Sequence, residues 1–268
     1  MLRFTLLICA ELLVMASFGQ AKFSVIGFYT GERDAAHISF VREANTWFSR
    51  MSELHRFDYD STNNWNDLNT EFLKRYAVVV FLDTRPDSAA QRLAFEKYMR
   101  AGGAWMGFHF AAFALTPSAY PQNWDWYHNE FLGSGEYASN TWRPTSAILK
   151  VENPAHPALI SAPTAFASAP NEWYRWKNDL TQNKDIRILL SIDPLSFPLG
   201  TGPKHHEIWH SGYYPVAWTN TRYRMIYFNM GHNDIDYESG SGRELSLSFE
   251  NEVQSKIILD ALIWLGER

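Results

Sequence analysis

The stretch Ala77–Leu82 (AVVVFL) is an unbroken apolar run centred on three valines, and it leaves few folds open to the chain. A strand with no polar alternation has no face to offer water. It must be covered on both sides, as in a parallel sheet flanked by helices. The neighbouring segments agree. Phe23–Tyr29 reads as a strand ending at Thr30-Gly31, and His37 opens a helical pattern with Ile38, Val41, Phe48 and Met51 on one face. His55–Tyr59 reads as a second strand, Ser88–Arg100 as a helix with Ser88 as its N-cap, and Ala104–Phe108 as the next strand. This alternation predicts an α/β fold with a doubly wound, mostly parallel sheet, which binds ligands beyond the carboxyl ends of its strands.

The strand Ala104–Phe108 runs into Gly107-Phe108-His109-Phe110-Ala111. Small residues around one functional side chain at a strand end mark a strand-to-helix elbow, the turn that lifts a nucleophile out of a sheet. Here the lifted residue is His109, a poor nucleophile but a good acid/base or ligand.

Beyond the elbow, regular periodicity stops. Leu115–Asn140 is rich in turn formers and aromatics, and it reads as an insertion over the site with a short helix around Trp126–Leu132. Strands are expected at Thr145–Val151, Ile186–Ile192, Glu207–Gly212 and Tyr223–Asn229, and a closing helix at Phe249–Leu265. There is no internal repeat or low-complexity tract, so residues 22–268 read as one domain.

The first 21 residues differ in kind. One Arg precedes an apolar run from Phe4 to Ala16, with small residues near Gly19 and Ala21. That is the pattern of a secretory signal peptide, and it predicts cleavage after Ala21 and a periplasmic or secreted product. The apolar run falls short of the ~18 residues of a membrane span. The chain's single cysteine, Cys9, lies inside this leader, so the mature protein is expected to carry neither disulfide nor thiol nucleophile. A net charge of −5 argues against nucleic acid as a partner, and no phosphate-cradling glycine fingerprint follows the first strand. No membrane contact is expected after cleavage, and the aromatic residues in polar surroundings suit stacking on sugars or bases.

Several polar groups fall where such a sheet delivers them. His109 sits on the elbow, His232 follows Met230-Gly231 at the exit of Tyr223–Asn229, and Glu172 lies in an aromatic loop. Two imidazoles and a carboxylate at one sheet edge suit general acid/base work, and the same set would also serve a metal. His37, Asn229 and Asp234 are expected near substrate, as are Trp126, Trp173 and Tyr174, whose rings suit stacking on sugar faces. Trp124, Trp142 and Trp176 share that polar-loop setting, whereas Trp47, Trp105 and Trp264 read as core. No cofactor is expected, with a divalent metal as the alternative. His206-Glu207-Ile208-Trp209-His210 spells H-E-x-x-H, but zinc chemistry needs that spacing on a helix. Pro203 before it, and Ser211-Gly212 and Pro215 after it, argue for a strand instead.

The motif Ala101-Gly102-Gly103-Ala104-Trp105-Met106-Gly107-Phe108-His109 resembles the GGGxxGxH of the ThuA-like (trehalose utilisation) proteins, which share the class I glutamine amidotransferase-like, flavodoxin-like fold. His156-Pro157, Asn171-Glu172-Trp173-Tyr174, Pro215–Thr219, Arg224–His232 and the end of the last helix follow in that family's order. The resemblance places His109 where amidotransferases carry their cysteine and His232 near their catalytic histidine. Without a thiol, glutamine hydrolysis is excluded. The family is associated with disaccharides and oxidised keto-sugars. Hydrolysis, elimination and isomerisation all fit the set, with His109 and His232 as the acid/base pair and Glu172 orienting one imidazole. The alternatives are a non-catalytic sugar-binding module and a metal-dependent hydrolase using His109, His232 and Glu172. Two positions depart from the family pattern: Asn171 replaces an acidic residue, and Asn140 stands where a histidine is often seen.

Overall fold

The computed structural model describes residues 21–32, 34–141, 144–196, 209, 212–233 and 245–267. The leader up to Gln20, Asp234, Trp142 and all of the H-E-x-x-H stretch except Trp209 lie outside these residues, as does most of the strand expected at Glu207–Gly212.

The first half of the chain winds as its pattern dictates. Strand β1 (Ser24–Phe28) leads to helix α1 (Ala35–His55), whose N-cap Asp34 accepts the Ala36 amide. Arg56 ends the helix in the left-handed conformation. Strand β2 (Asp58–Thr62), the one-turn helix α2 (Thr70–Leu73), strand β3 (Val78–Phe81), helix α3 (Ala89–Arg100) and strand β4 (Ala104–Phe108) follow. Ser88 caps α3 through a reciprocal capping box with Gln91.

The insertion contributes a π-helical turn at Trp126–Phe131 and strand β5 (Tyr137–Asn140). Strands β6 (Ile148–Val151), β7 (Ala165–Ala167), β8 (Tyr174–Trp176), β9 (Ile186–Ile192), β10 (Tyr214–Asn220) and β11 (Arg224–Phe228) precede helix α4 (Glu252–Gly266).

Nine strands form one sheet in the order β2-β1-β3-β4-β11-β10-β9-β6-β7. The pairs from β2 to β11 are parallel, and the extension from β11 to β7 is antiparallel. The parallel half carries the site. Apart from the exposed edge strand β2, its strands are buried on both faces and alternate between two cores. Val78, Val80, Met106, Ile226 and Phe228 pack with α1 and α4, while Val79, Phe81, Trp105, Met225 and Tyr227 pack with α3 and the insertion. A period of two divided between two apolar layers is what an unbroken hydrophobic strand requires.

Candidate functional site

Strands β4 and β11 lie side by side and in register, with Phe228 opposite Phe108. Their carboxyl ends therefore deliver His109 and His232 to the same place. His109 sits at φ +39°, an unusual conformation for a residue with a side chain, and the Tyr227 hydroxyl holds its carbonyl at 2.8 Å. Gly231, at φ +134°, leaves room for this turn, because a Cβ there would come within 3.2 Å of His109 Cβ.

Glu172 comes from the loop before β8 and joins the two histidines. Its amide donates to the His232 carbonyl at 2.8 Å. Its Oε2 lies 3.3 Å from His109 Nε2 and 3.8 Å from His232 Nδ1, and Oε1 accepts from the Asn140 amide. On the far side of His232, Nε2 lies 3.3 Å from the Asp34 carboxylate at the start of α1. His37, one turn into α1, completes the cluster, its ring 4.7 Å from that of His232 and 5.6 Å from that of His109.

The charges follow from the surroundings. Burial works to raise the Glu172 pKa, but the hydrogen bond from His109 and the nearby His232 outweigh it and hold the carboxyl below its usual range. Burial pushes His109 down, opposed only in part by Glu172. At neutral pH this describes an ionised Glu172 receiving Nε2–H from a neutral His109. The hydrogen bond to His232 holds Asp34 well below the ordinary carboxylate range, against the opposing effect of burial.

A cleft of about 470 Å³ opens over this cluster, within the ~300–1,000 Å³ of small-molecule sites. Asp34, His37, Asn140, Glu172 and His232 supply its polar groups, and Phe110, Phe113, Tyr120, Tyr137 and Tyr174 its aromatic walls. His109, only 1% exposed, does not line the cleft; it lies beneath Glu172 with its ring 3.9 Å from that of Tyr174.

The structure thus brings together His37, His109, Glu172, Tyr174 and His232. It does not bring Trp173 or Trp126 to the cleft. Trp173 is wholly buried in one core and donates to the Thr145 carbonyl. Trp126 packs in the other core and donates to the Tyr223 hydroxyl. Their polar neighbours in sequence suggested an exposed rim, but each indole N–H has an internal partner and the rings fill apolar layers. Asn229 is also fully buried, and its amide grips the Tyr174 backbone in both directions rather than facing substrate. Asp34 and the rings of Phe110, Phe113, Tyr120 and Tyr137 went unforeseen. Phe110 and Phe113 follow the elbow directly, the one signal that pointed to them.

The family model for ThuA (trehalose utilisation) matches residues 26–248. A ThuA-like protein from Bacteroides uniformis is 34% identical, with 92% of each chain covered and a TM-score of 0.80. A second, from Parabacteroides merdae, is 16% identical over 91% of this chain and 90% of that one, with a TM-score of 0.61. A β-galactosidase from Bacillus circulans shares the fold over 30% of its length, at 12% identity over 91% of this chain and a TM-score of 0.50. Comparison with curated proteins gives no match. With the family model covering most of the chain and the elbow, the Glu172 loop and the β11 exit meeting at one cleft, the protein belongs to the ThuA (trehalose utilisation) family, on a glutamine amidotransferase-like fold.

Proposed function

We propose that the cleft acts on a carbohydrate, a disaccharide or keto-sugar, by proton transfer without a cysteine nucleophile. One observation carries this reading: an imidazole, His232, faces an aromatic-walled cleft while held between two carboxylates, at 3.3 Å from Asp34 and 3.8 Å from Glu172. The aromatic walls suit the C–H faces of a sugar ring, and the histidine can give a proton to a hydroxyl, a glycosidic oxygen or an enolate beside a carbonyl. His109 serves this chemistry from below by fixing Glu172. The family's link to trehalose utilisation supports the substrate class. The N-terminal pattern supports export to the periplasm or beyond.

A metal-dependent hydrolase has one observation in its favour. Ligand atoms of His109, Glu172 and His232 all lie within 4.8 Å of one another. In this structure His109 Nε2 lies within hydrogen-bond reach of Glu172 Oε2, at 3.3 Å, so the two groups already pair with each other, which favours the metal-free reading. A non-catalytic sugar-binding module would keep the same cleft.

The test is turnover of a keto-disaccharide, with free and β-linked disaccharides beside it, by the wild type and by His232→Gln. We expect turnover to fall about 10²–10⁴-fold in the variant, the usual contribution of a general acid or base. Sugar binding without turnover in the wild type would establish the binding module. Stoichiometric metal in protein purified without chelator would establish the metal-dependent reading.

A further inference from the structure

Helix α1 turns one row of exposed side chains outward. Arg42, Thr46, Arg50 and Leu54 stand four residues apart and so form a single ridge, at the end of which Leu54 is 64% exposed. Beside the ridge, a groove of about 870 Å³ separates α1 from α4. Its apolar floor is made by Trp47, Met51, Phe249 and Leu259, with the half-buried Trp47 ring stacked 4.5 Å from that of Phe249. The walls carry opposite charges: Arg42 and Arg50 on the α1 side, Glu250 and Glu252 on the α4 side. Two further charges of the groove are already engaged. Glu43 accepts from the Ser246 hydroxyl and from the Ser248 and Phe249 amides, and Lys256 pairs with Asp260. The other four make no ion pair with any described residue.

We propose that this face joins two copies of the chain, each laying its α1 ridge into the α1–α4 groove of the other about a two-fold axis. A two-fold interface brings one surface patch against itself, so the patch must be its own complement. This one is. It holds a ridge and a groove side by side, and ridges packing into grooves is how helices meet. The exchange sets the arginines of one copy against the acidic wall of the other, and Leu54 against the apolar floor. Charge complementarity selects a second copy as the occupant: a partner helix of one charge would leave two of the four charges facing their own sign. A tryptophan in the floor agrees, since indole rings are enriched at the centres of such interfaces. The proposal is independent of the chemistry in the cleft.

Sedimentation velocity of the purified protein over a wide concentration range tests it. The wild type should sediment with twice the mass of one chain, and its dissociation constant should rise with added salt. Arg42→Glu together with Arg50→Glu sets like charges against the acidic wall, and the dissociation constant should rise about 100-fold or more. Adding Glu250→Arg and Glu252→Arg to the same chain reverses both walls and should bring it back to within about tenfold of the wild type. Leu54→Glu changes an exposed side chain on which the fold does not depend, and it should weaken the dimer while the thermal melt of dilute protein stays put. A wild type that is monomeric at every concentration would overturn the proposal and leave the groove to another protein. A dimer indifferent to both the charge reversal and Leu54→Glu would overturn it as well, by placing the contact elsewhere.

Discussion

At the scale of single residues, the least comfortable group is not in the cleft. His128 is fully buried in the π-helical turn, and neither ring nitrogen has a hydrogen-bond partner. Burial first, then Arg85 and Arg92, push its pKa down to about 3. An unfolded histidine binds a proton below about 6.5, so between these values the unfolded state takes up more protons, and stability falls as pH falls. His128→Leu should remove that slope, losing about 2 kcal/mol less than the wild type between pH 7 and pH 5 in denaturant titrations. An equal slope would show that the wild-type ring finds a partner. The same scale shows what a sequence discloses about a site. His109 and His232 stood out because each follows a strand and sits beside glycine, and Glu172 because it lies among aromatics. Asp34 did not, because an aspartate before a helix looks like a cap, and it is one. Asn140 was noticed only as a missing histidine, yet it holds Glu172 Oε1. The tryptophans misled because polar sequence neighbours say little about where an indole turns.

Among the elements, those that bury both faces or carry a cap were legible. β4 and β9 have the limits their residues imply, and α3 begins where Ser88 does. Its capping box predicts that Ser88→Ala lowers stability by about 1 kcal/mol, which denaturant titration of the two proteins would measure. Strand β10 was not legible, for Pro215 and Asn220 break its pattern, and only pairing with β9 and β11 on either side makes it a strand. The short strands β5 and β8 pair with each other outside the main sheet, and three or four residues carry no period to read. The segment at Trp126–Leu132 was expected to be helical and is, but with a wider turn that directs Trp126, Tyr127 and Phe131 into one core.

For the whole molecule, the doubly wound parallel half followed from the order of its elements, whereas the antiparallel extension required contacts that no local pattern announces. Among the described residues no helix is long and apolar enough to cross a membrane. If the leader is cleaved as we propose, protein recovered from the extracytoplasmic fraction will begin at Lys22; intact Met1 there would refute export by this route. The insertion packs its aromatic residues against Phe95 and Trp105 while its ends supply Tyr120, Tyr137 and Asn140 to the cleft. One segment thus builds a core and walls a site.

The register between β4 and β11 has a kinetic meaning. These strands are adjacent in space but about 120 residues apart in the chain, with most of the antiparallel extension lying between them. Closing so long a loop is entropically slow, and until it closes His109 and His232 have no common neighbour. Glu172 cannot bridge a pair that has not met. A nascent chain therefore passes most of its synthesis with its reactive groups apart, and the cleft is among the last features to exist.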